Sequence, residues 1–489
     1  MTEEEMGQLK QAYDNLKEEM GEKDRRIEEL EGQLMGALLR IEELERRLAK
    51  DSHNSSKPPS SDGLGGKGNK LGKISGKARG GQKGHQGHAL QAVERPDQVI
   101  EHRPSHCEIC HHELAGQAGQ VKERRQIHEL PELRLQVREH QVQAICCPQC
   151  QHLTTAKFPA GVNAPTQYGP RLQALAVYLS QFQLLPMERI SELLADLQLC
   201  QLCQGTLVNW IAQASSTLQP SMQTLKRLLR ASSLEHVDET GGSIKGLLHW
   251  FHVNATKWLT LYCWHPKRGQ QAINAIGILP EYEGRAMHDR LSSYDSYPCK
   301  HSVCGAHLLR DCLFVAEEHK QSWAQDMFEL LLSMAKAAEL WRAQGAKAVP
   351  KAERDQWIAQ YFSVLADGFA AHLAQAPPVS SPLPKKRGRP KQDASKNLLD
   401  ALLKRAEQVL AFLDDLWVPF TNNLAERDLR MMKVQQKISG TFRSEEGASA
   451  FCAIRSYLST MRKQGRSMLE ALAAVFEGSP FPIAWQPGT

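Results

Sequence analysis

Three carboxylates and four cysteines are the residues whose types and spacing best suit chemistry in this chain. Residues 422–433 read Asn-Asn-Leu-Ala-Glu-Arg-Asp-Leu-Arg-Met-Met-Lys. Entered from Val418-Pro419-Phe420-Thr421, with Asn422 or Asn423 able to cap, the stretch predicts the start of a helix. At about 3.6 residues per turn, Glu426, Arg430 and Lys433 share one face. The acid there can hold a hard cation while the two bases hold a phosphate chain passing over it. The plainer alternative is a surface ion pair on a solvated helix.

Two more acids stand out by position. Asp238 closes a short apolar run at 234–238, and Asp289 closes another at 284–289. Oxygen ligands of this kind suit Mg²⁺ or Mn²⁺. Two such ions roughly 3.5–4 Å apart can activate the attacking oxygen and stabilise the leaving oxygen in a phosphodiester displacement. Cutting and rejoining DNA needs that chemistry twice: water frees a 3′-hydroxyl, and the hydroxyl then attacks target DNA. Singly, each acid also reads as a capping or surface carboxylate, and Asp295 or Asp428 could take a place in the set.

The cysteines Cys107-Glu-Ile-Cys110 and Cys147-Pro-Gln-Cys150 flank two β-like runs, 124–130 and 133–144. Two such knuckles around a hairpin predict a tetrahedral structural zinc site, a zinc ribbon. Cys146 is out of register, and His106, His111 and His112 read as surface histidines. Cys200 and Cys203 lack a second pair and read as ordinary thiols on a helical pattern. Cys304 and His307 make half a metal site at most, so they read as positioning residues, with Arg310 facing DNA.

Elements must position these groups. From residue 234 strand-like runs follow at 246–255 and 258–264, then a helix at 270–279, the run at 284–289, a strand at 300–305 and a helix at 307–318. We read the order as β-β-β-α-β-α-β-α, a ribonuclease-H-like arrangement with one acid at the end of the first strand and one after the fourth. Residues 321–376 predict a helical insertion. The segment 377–396 is Pro-rich and basic, and its Arg387-Gly388-Arg389-Pro390 resembles a minor-groove hook or else a bare linker. Residues 397–416 and 447–476 predict further helices, the last carrying Arg455, Arg462 and Lys463, with Arg466 near the same side. Residues 172–230 are helical by period, and 189–197 with 205–217 read as a helix-turn-helix-like unit or a plain spacer.

The N-terminal 50 residues carry a heptad repeat. Met6, Tyr13, Met20, Ile27, Leu34, Ile41 and Leu48 take the a positions, and Leu9, Leu16, Lys23, Leu30, Ala37 and Leu44 the d positions. The pattern predicts a coiled coil and self-association, against a single helix packed back on the body. Pro58-Pro59 should end that helix. Between Gly63 and Val93 no acid occurs, while Lys77, Arg79 and Lys83 help make a basic, Gly-rich stretch suited to a phosphate backbone or a flexible link. At 489 residues the chain has room for about three domains by the usual size prior. No run of about 18 apolar residues occurs and the N-terminus is acidic and polar, so neither a membrane span nor a signal peptide is expected. Twelve cysteines in so large a chain fit a reduced cytoplasmic protein using a few as metal ligands.

These motifs together resemble the transposases of the insertion-sequence-sixty-six family, bacterial DDE enzymes. The likeness is carried by Asn54-Ser-Ser-Lys-Pro-Pro-Ser-Ser-Asp62, Gly80-Gly-Gln-Lys-Gly-His85, the two knuckles, Gln167-Tyr-Gly-Pro170 and Val237-Asp-Glu-Thr240. It continues through His265-Pro-Lys-Arg-Gly269, Gly277-Ile-Leu-Pro280, Ala306-His-Leu-Leu-Arg310, Val418-Pro-Phe420, residues 422–430 and Val434-Gln-Gln-Lys-Ile-Ser-Gly-Thr-Phe-Arg443. The resemblance implies that Asp238, Asp289 and Glu426 are a catalytic triad holding Mg²⁺ or Mn²⁺. It also implies element ends as substrate and accessory proteins of the same element as partners. Two departures are local: Arg290-Leu291 stands where the family usually has Gly or Cys followed by Trp, and Gly241-Gly242 replaces a bulkier pair.

The expectation is therefore a multidomain α+β protein. Its parts are a coiled coil (1–50), a basic linker (51–100), a zinc ribbon on Cys107, Cys110, Cys147 and Cys150 (101–158) and a helical DNA-binding region (165–230). A ribonuclease-H-like core (231–320 and 397–445) follows, with a helical insertion and basic linker (321–396) and a helical C-terminus (446–489). DNA contacts are expected from Lys267, Arg268, Arg310, Arg430, Lys433, Lys77, Arg79 and Lys83. The expected activity is strand cleavage and transfer by a homo-oligomer at the nucleoid of a bacterial cytoplasm. The competing reading is a zinc-ribbon, coiled-coil DNA-binding regulator on an inactive scaffold.

Overall fold

The structure, a computed structural model, describes residues 3–51, 54–55, 90–374 and 392–485. The basic stretch with Lys77, Arg79 and Lys83, the Pro58-Pro59 pair and the 387–390 hook lie outside the described residues. Among the described residues no helix is long and apolar enough to cross a membrane.

Helix α1 (Glu3–Leu48) is continuous for 46 residues. Leu16, Met20, Ile27, Leu34 and Ile41 on its heptad seam are 52–61% exposed, so none of the described residues covers this part of the seam. The helix ends well before Pro58. Its stop is an Asp51–Asn54 turn, in which the Asp51 N–H donates to Asn54 Oδ1 at 2.9 Å and the Asn54 side-chain amide donates to the Ala49 carbonyl at 3.1 Å. Side-chain hydrogen bonds of this kind compete with the helix ladder at its end.

The predicted hairpin over 124–144 is absent; the residues from 120 to 143 form neither strand nor helix. The pairing is shorter and later, between β1 (Ala144–Cys146) and β2 (Leu153–Thr155), which are antiparallel around the second knuckle. Four helices follow: α2 (Pro170–Gln181), α3 (Met187–Asp196), α4 (Gln204–Thr217) and α5 (Gln219–Arg230). Cys200 lies between α3 and α4 and Cys203 caps α4, so neither sits within a helix.

The central sheet has five strands: β3 (Leu234–Ile244), β4 (Leu247–Ala255), β5 (Thr260–His265), β6 (Arg285–His288) and β7 (Lys300–Val303). Their spatial order is β5-β4-β3-β6-β7, with β3, β4 and β5 antiparallel and β3, β6 and β7 parallel. Helix α6 (Gln270–Ile276) joins β5 to β6, but a 3-10 turn at Ser292–Ser296 stands where the expected order put a helix between β6 and β7. Strand β3 is also longer than its apolar run. It continues through Gly241-Gly242 by pairing with β4 as far as Ile244 and Leu247, and the Phe251 ring lies so close that a Cβ on Gly242 would come within 2.5 Å of it. Asp238 is thus mid-strand rather than at a strand end.

Helix α7 (Gly305–Glu318) leaves β7 directly, and the insertion is the helix pair α8 (Ser322–Ala343) and α9 (Lys351–Ala374). Helices α10 (Ala394–Lys404) and α11 (Ala406–Asp414) pack with them and with Met287 and Val303 of the sheet. Helix α12 (Asn423–Ser439) crosses β3 and β4, and α13 (Glu445–Lys463) lies on β5. Helix α14 (Met468–Phe476) then packs on α2. Helix α13 is buried nearly all round, between the sheet and α2–α5. Its Ala450, Ala453, Ser456 and Thr460 keep it slim enough for that place. The Ser456 and Thr460 hydroxyls accept the N–H groups of Tyr262 and Thr260 at 2.8 and 3.0 Å, satisfying the outer edge of β5.

Candidate active site

Side chains alternate along a strand, so His236 and Asp238 point to the face of β3 that α12 covers. The parallel register pairs His236 with Met287, and two residues further along each chain stand Asp238 and Asp289. Glu426 reaches the same place from the first turn of α12. Asp238 Oδ1 accepts the N–H of Glu239 at 2.8 Å, and Asp289 Oδ1 that of Leu291 at 3.1 Å. Burial pushes the Asp238 carboxyl well above the carboxylate range, and the charges of Glu239, Asp289 and Glu426 push it further. Mutual repulsion among oxygen donors is the electrostatic signature of a site that a divalent cation would relieve.

The alternative acids are already committed. Asp295 is held by Arg405 at 2.6 and 2.8 Å. Asp428 is held by the buried Lys463 ammonium at 2.8 Å and by the Thr260 hydroxyl at 3.1 Å. Asp238, Asp289 and Glu426 remain, near enough for the charges of the last two to raise the Asp238 carboxyl.

Glu239 belongs to the site as well, although its sequence context gave it no distinct mark beside Asp238. Its side chain is fully buried. It accepts from Arg268 at 2.8 and 2.9 Å and from the Tyr294 hydroxyl at 2.6 Å. Burial first and the Asp289 charge second raise its carboxyl, against these bonds. Arg268 also lies 3.8 Å from Asp289 and 4.9 Å from the Trp250 ring centroid. It is paired with the acids rather than free, with 40% of its side chain exposed. Lys267 beside it is exposed.

The bases on α12 divide. Arg430, one turn after Glu426, is exposed. Lys433 instead donates to the Gly241 carbonyl at 2.8 Å, at the point where β3 lacks side chains. Arg310 is half-buried and its Nε has no partner. Arg455 and Lys463, expected on one basic side, are buried structural donors: Arg455 to the Gln181 and Phe182 carbonyls at 3.1 Å, Lys463 to Thr256 and Leu259. The exposed face of α4 offers Val208, Asn209, Gln213 and Ser216 but no Lys or Arg.

Arg290, where the family usually has Gly or Cys, adopts φ +76°, the left-handed region. Its guanidinium pairs with Asp311 on α7.

Helix α12 is placed by Asn422. Its side chain makes no capping bond to the helix. It reaches across to β3, its Oδ1 lying 2.8 Å from His236 Nδ1 and its amide donating to the Val237 carbonyl at 2.9 Å. Burial holds His236 neutral, its value pushed down to about 4. Phe420 completes the join: its carbonyl accepts the Gly305 N–H at 2.8 Å, and its ring fills the space a Cβ on Gly305 would need.

Cys304 and His307 also come to Glu426. Cys304 Sγ is 3.5 Å, and His307 Nδ1 3.7 Å, from Glu426 Oε1. Among the described residues this is the one set of three or more His, Cys, Asp or Glu ligand atoms all within 4.8 Å of one another. The three acids of the expected triad, and the four knuckle sulfurs, are spread more widely than that.

Each knuckle is formed on its own. The His111 N–H donates to the Cys107 carbonyl at 3.0 Å and that of Gln151 to the Cys147 carbonyl at 2.8 Å, with His111 and Gln151 both at φ +56°. Backbone N–H groups of Cys110 and Ile109 pull the Cys107 thiol down, and those of Cys150 and Gln149 do the same for Cys147. The two C-x-x-C knuckles thus share one turn geometry.

Fold and site together define a mixed α/β protein organised around a carboxylate cluster at the junction of β3, β6 and α12. The chain belongs to the Transposase IS66 family, whose model matches residues 165–450, more than half its length. That family is one of DNA-processing transposases. A second model, described as a family of unknown function, matches residues 10–91. No curated protein matches the chain.

Proposed function

We propose that the chain cuts the ends of a bacterial insertion sequence and joins the freed 3′-hydroxyl to target DNA, with Asp238, Asp289 and Glu426 as the catalytic acids. The observation that carries this reading is their convergence from two parallel strands and a helix, with the Asp238 carboxyl raised by its acidic neighbours. The five strands with the order β5-β4-β3-β6-β7 support a ribonuclease-H-like core. Mg²⁺ or Mn²⁺ bound there would supply activation of the attacking oxygen and charge stabilisation of the leaving one.

The chain's own groups do the rest. Asp238 and Asp289, fixed by neighbouring strands, set the spacing of the carboxylates. Glu426 closes the third side and moves only with α12. Arg268 balances Glu239, so that the fourth acid adds field without becoming a free ligand. Arg430 and Lys267, both exposed, meet the phosphates of DNA lying over the site. The basic stretch with Lys77, Arg79 and Lys83 adds backbone affinity.

The other modules serve this reaction with the limits given by sequence. Cys107, Cys110, Cys147 and Cys150 hold structural zinc in a ribbon-like unit. The uncovered seam of α1 pairs with α1 of another copy and brings two catalytic centres to two element ends. Small proteins encoded by the same element are the expected partners at the nucleoid.

The test is Asp238→Ala in the full chain. The reading expects end binding to remain and metal-dependent end cleavage to disappear. Cleavage that persists at the wild-type rate would overturn it, and wild-type protein that binds ends without cutting would favour a regulator.

A further inference from the structure

The half-site Cys304-Gly-Ala-His307 acquires its missing ligand in the fold. Cys304 is the last residue before α7 and is fully buried; His307 lies on the first turn; Glu426 arrives from α12. An ion with tetrahedral bonds of about 2.0–2.3 Å spaces its ligand atoms roughly 3.3–3.7 Å apart. The separations of 3.5 Å from sulfur to carboxylate and 3.7 Å from imidazole to carboxylate lie in that range, and all three ligand atoms lie within 4.8 Å of one another.

Two further observations point to an ion. His307 Nδ1 is buried and has no hydrogen-bond partner, with Glu426 Oε1 3.7 Å away, so a ring nitrogen is left for a ligand to engage. Cys304 Sγ accepts the Asn422 N–H at 3.2 Å and donates to Glu426 Oε1 at 3.5 Å. A buried sulfur held against a carboxylate in this way is placed to take a soft cation in exchange for its proton.

We propose that Cys304, His307 and Glu426 form a binding site for a borderline-soft divalent ion of the zinc or cobalt kind, distinct in ligand chemistry from the all-oxygen site of the triad. One sulfur, one nitrogen and one oxygen suit such an ion and not Mg²⁺. Binding replaces the thiol S–H bond with a sulfur–metal bond and releases the proton to solvent. Because Glu426 has one carboxylate, a zinc-like ion held here takes it away from the hard ion of the triad. The site is therefore inhibitory to strand cleavage, and this consequence alone rests on reading Glu426 as the third acid.

The experiment is a Co²⁺ titration of the zinc-stripped full chain, followed by absorbance. Wild type and Cys304→Ser are compared, with His307→Asn as a second variant, and far-ultraviolet circular dichroism checks folding of each. The knuckle cysteines are intact in all three and supply a common thiolate-to-cobalt signal. The proposal expects wild type to bind one more equivalent of Co²⁺ than Cys304→Ser, with the added charge-transfer absorbance of one thiolate. His307→Asn should bind that equivalent about tenfold or more weakly. Equal stoichiometry and spectra in wild type and both folded variants would overturn the site. A large excess of Mg²⁺ should displace the extra equivalent and leave the knuckle signal. Retention of the extra equivalent under Mg²⁺ would overturn the shared use of Glu426 while leaving the cobalt site standing.

Discussion

Asn422 donates its side-chain amide to the Val237 carbonyl at 2.9 Å, one residue before Asp238 on β3 and four residues before Glu426 on α12. One buried side chain thus fixes the distance between the first and third acids, across 185 residues of sequence. Removing it strands a backbone carbonyl and the His236 ring nitrogen away from water. Asn422→Ala should lose about 1–3 kcal/mol for an orphaned group by urea denaturation, and strand cleavage should fall more than DNA binding. Unchanged cleavage in the folded variant would show that α12 is held by its apolar face alone.

The Asp238 carboxyl is raised, so its sign in the stability of the metal-free protein is fixed. A group with a folded value above its unfolded one contributes fully below the unfolded carboxylate range and loses that contribution as pH rises through the folded value. Glu239 behaves the same way. Metal-free protein should lose stability from about pH 4 upward on account of these two acids, and Mg²⁺ should restore more of it at higher pH. Asp238→Asn should raise the metal-free stability at neutral pH by about 0.5–2 kcal/mol, lose cleavage, and flatten the pH dependence of Tm. A lower Tm for Asp238→Asn would mean the acids do not repel as described.

Arg290 sits at φ +76°, where a Cβ costs about 1–2 kcal/mol and glycine costs little. Arg290→Gly and Arg290→Ala both lose the pair with Asp311, so comparing them isolates the backbone. The glycine variant should be the more stable of the two by about 0.5–1 kcal/mol, the reverse of the usual order. Alanine equal to or better than glycine would place residue 290 outside the left-handed region.

Gly305 has no room for a side chain, since an added Cβ would lie 2.3–2.6 Å from the Phe420 ring. Gly305→Ala should cost about 1–3 kcal/mol by overpacking and shift α12 with Glu426. Phe420→Leu in the same chain should recover part of that loss. Additive losses in the double variant would rule out a direct contact.

Much of this arrangement was readable because it is local. Heptads, knuckles and the helix after Asn422 depend on spacing within a few turns, and their types were set by that spacing. The acids could be singled out because each sits beside an apolar run or a cap. What eluded the sequence was long-range. The length of β3 depended on its pairing with β4, and the commitment of Lys433, Arg455 and Lys463 depended on carbonyls far away in the chain. Arg268 looked like a free base until Glu239 was seen opposite it. Cys304 and His307 looked incomplete because Glu426 stands more than a hundred residues further on. The hairpin over 124–144 was a pattern of alternating residues that no neighbouring strand takes up.

The central claim is that Asp238, Asp289 and Glu426 join DNA ends to a target. The most direct measurement is strand transfer with purified protein, a labelled end of its own element and a target plasmid in Mg²⁺ or Mn²⁺, beside Glu426→Gln. The account predicts joined product from the wild type and none from the variant, with end binding intact in both. Joined product from Glu426→Gln at the wild-type level would contradict it.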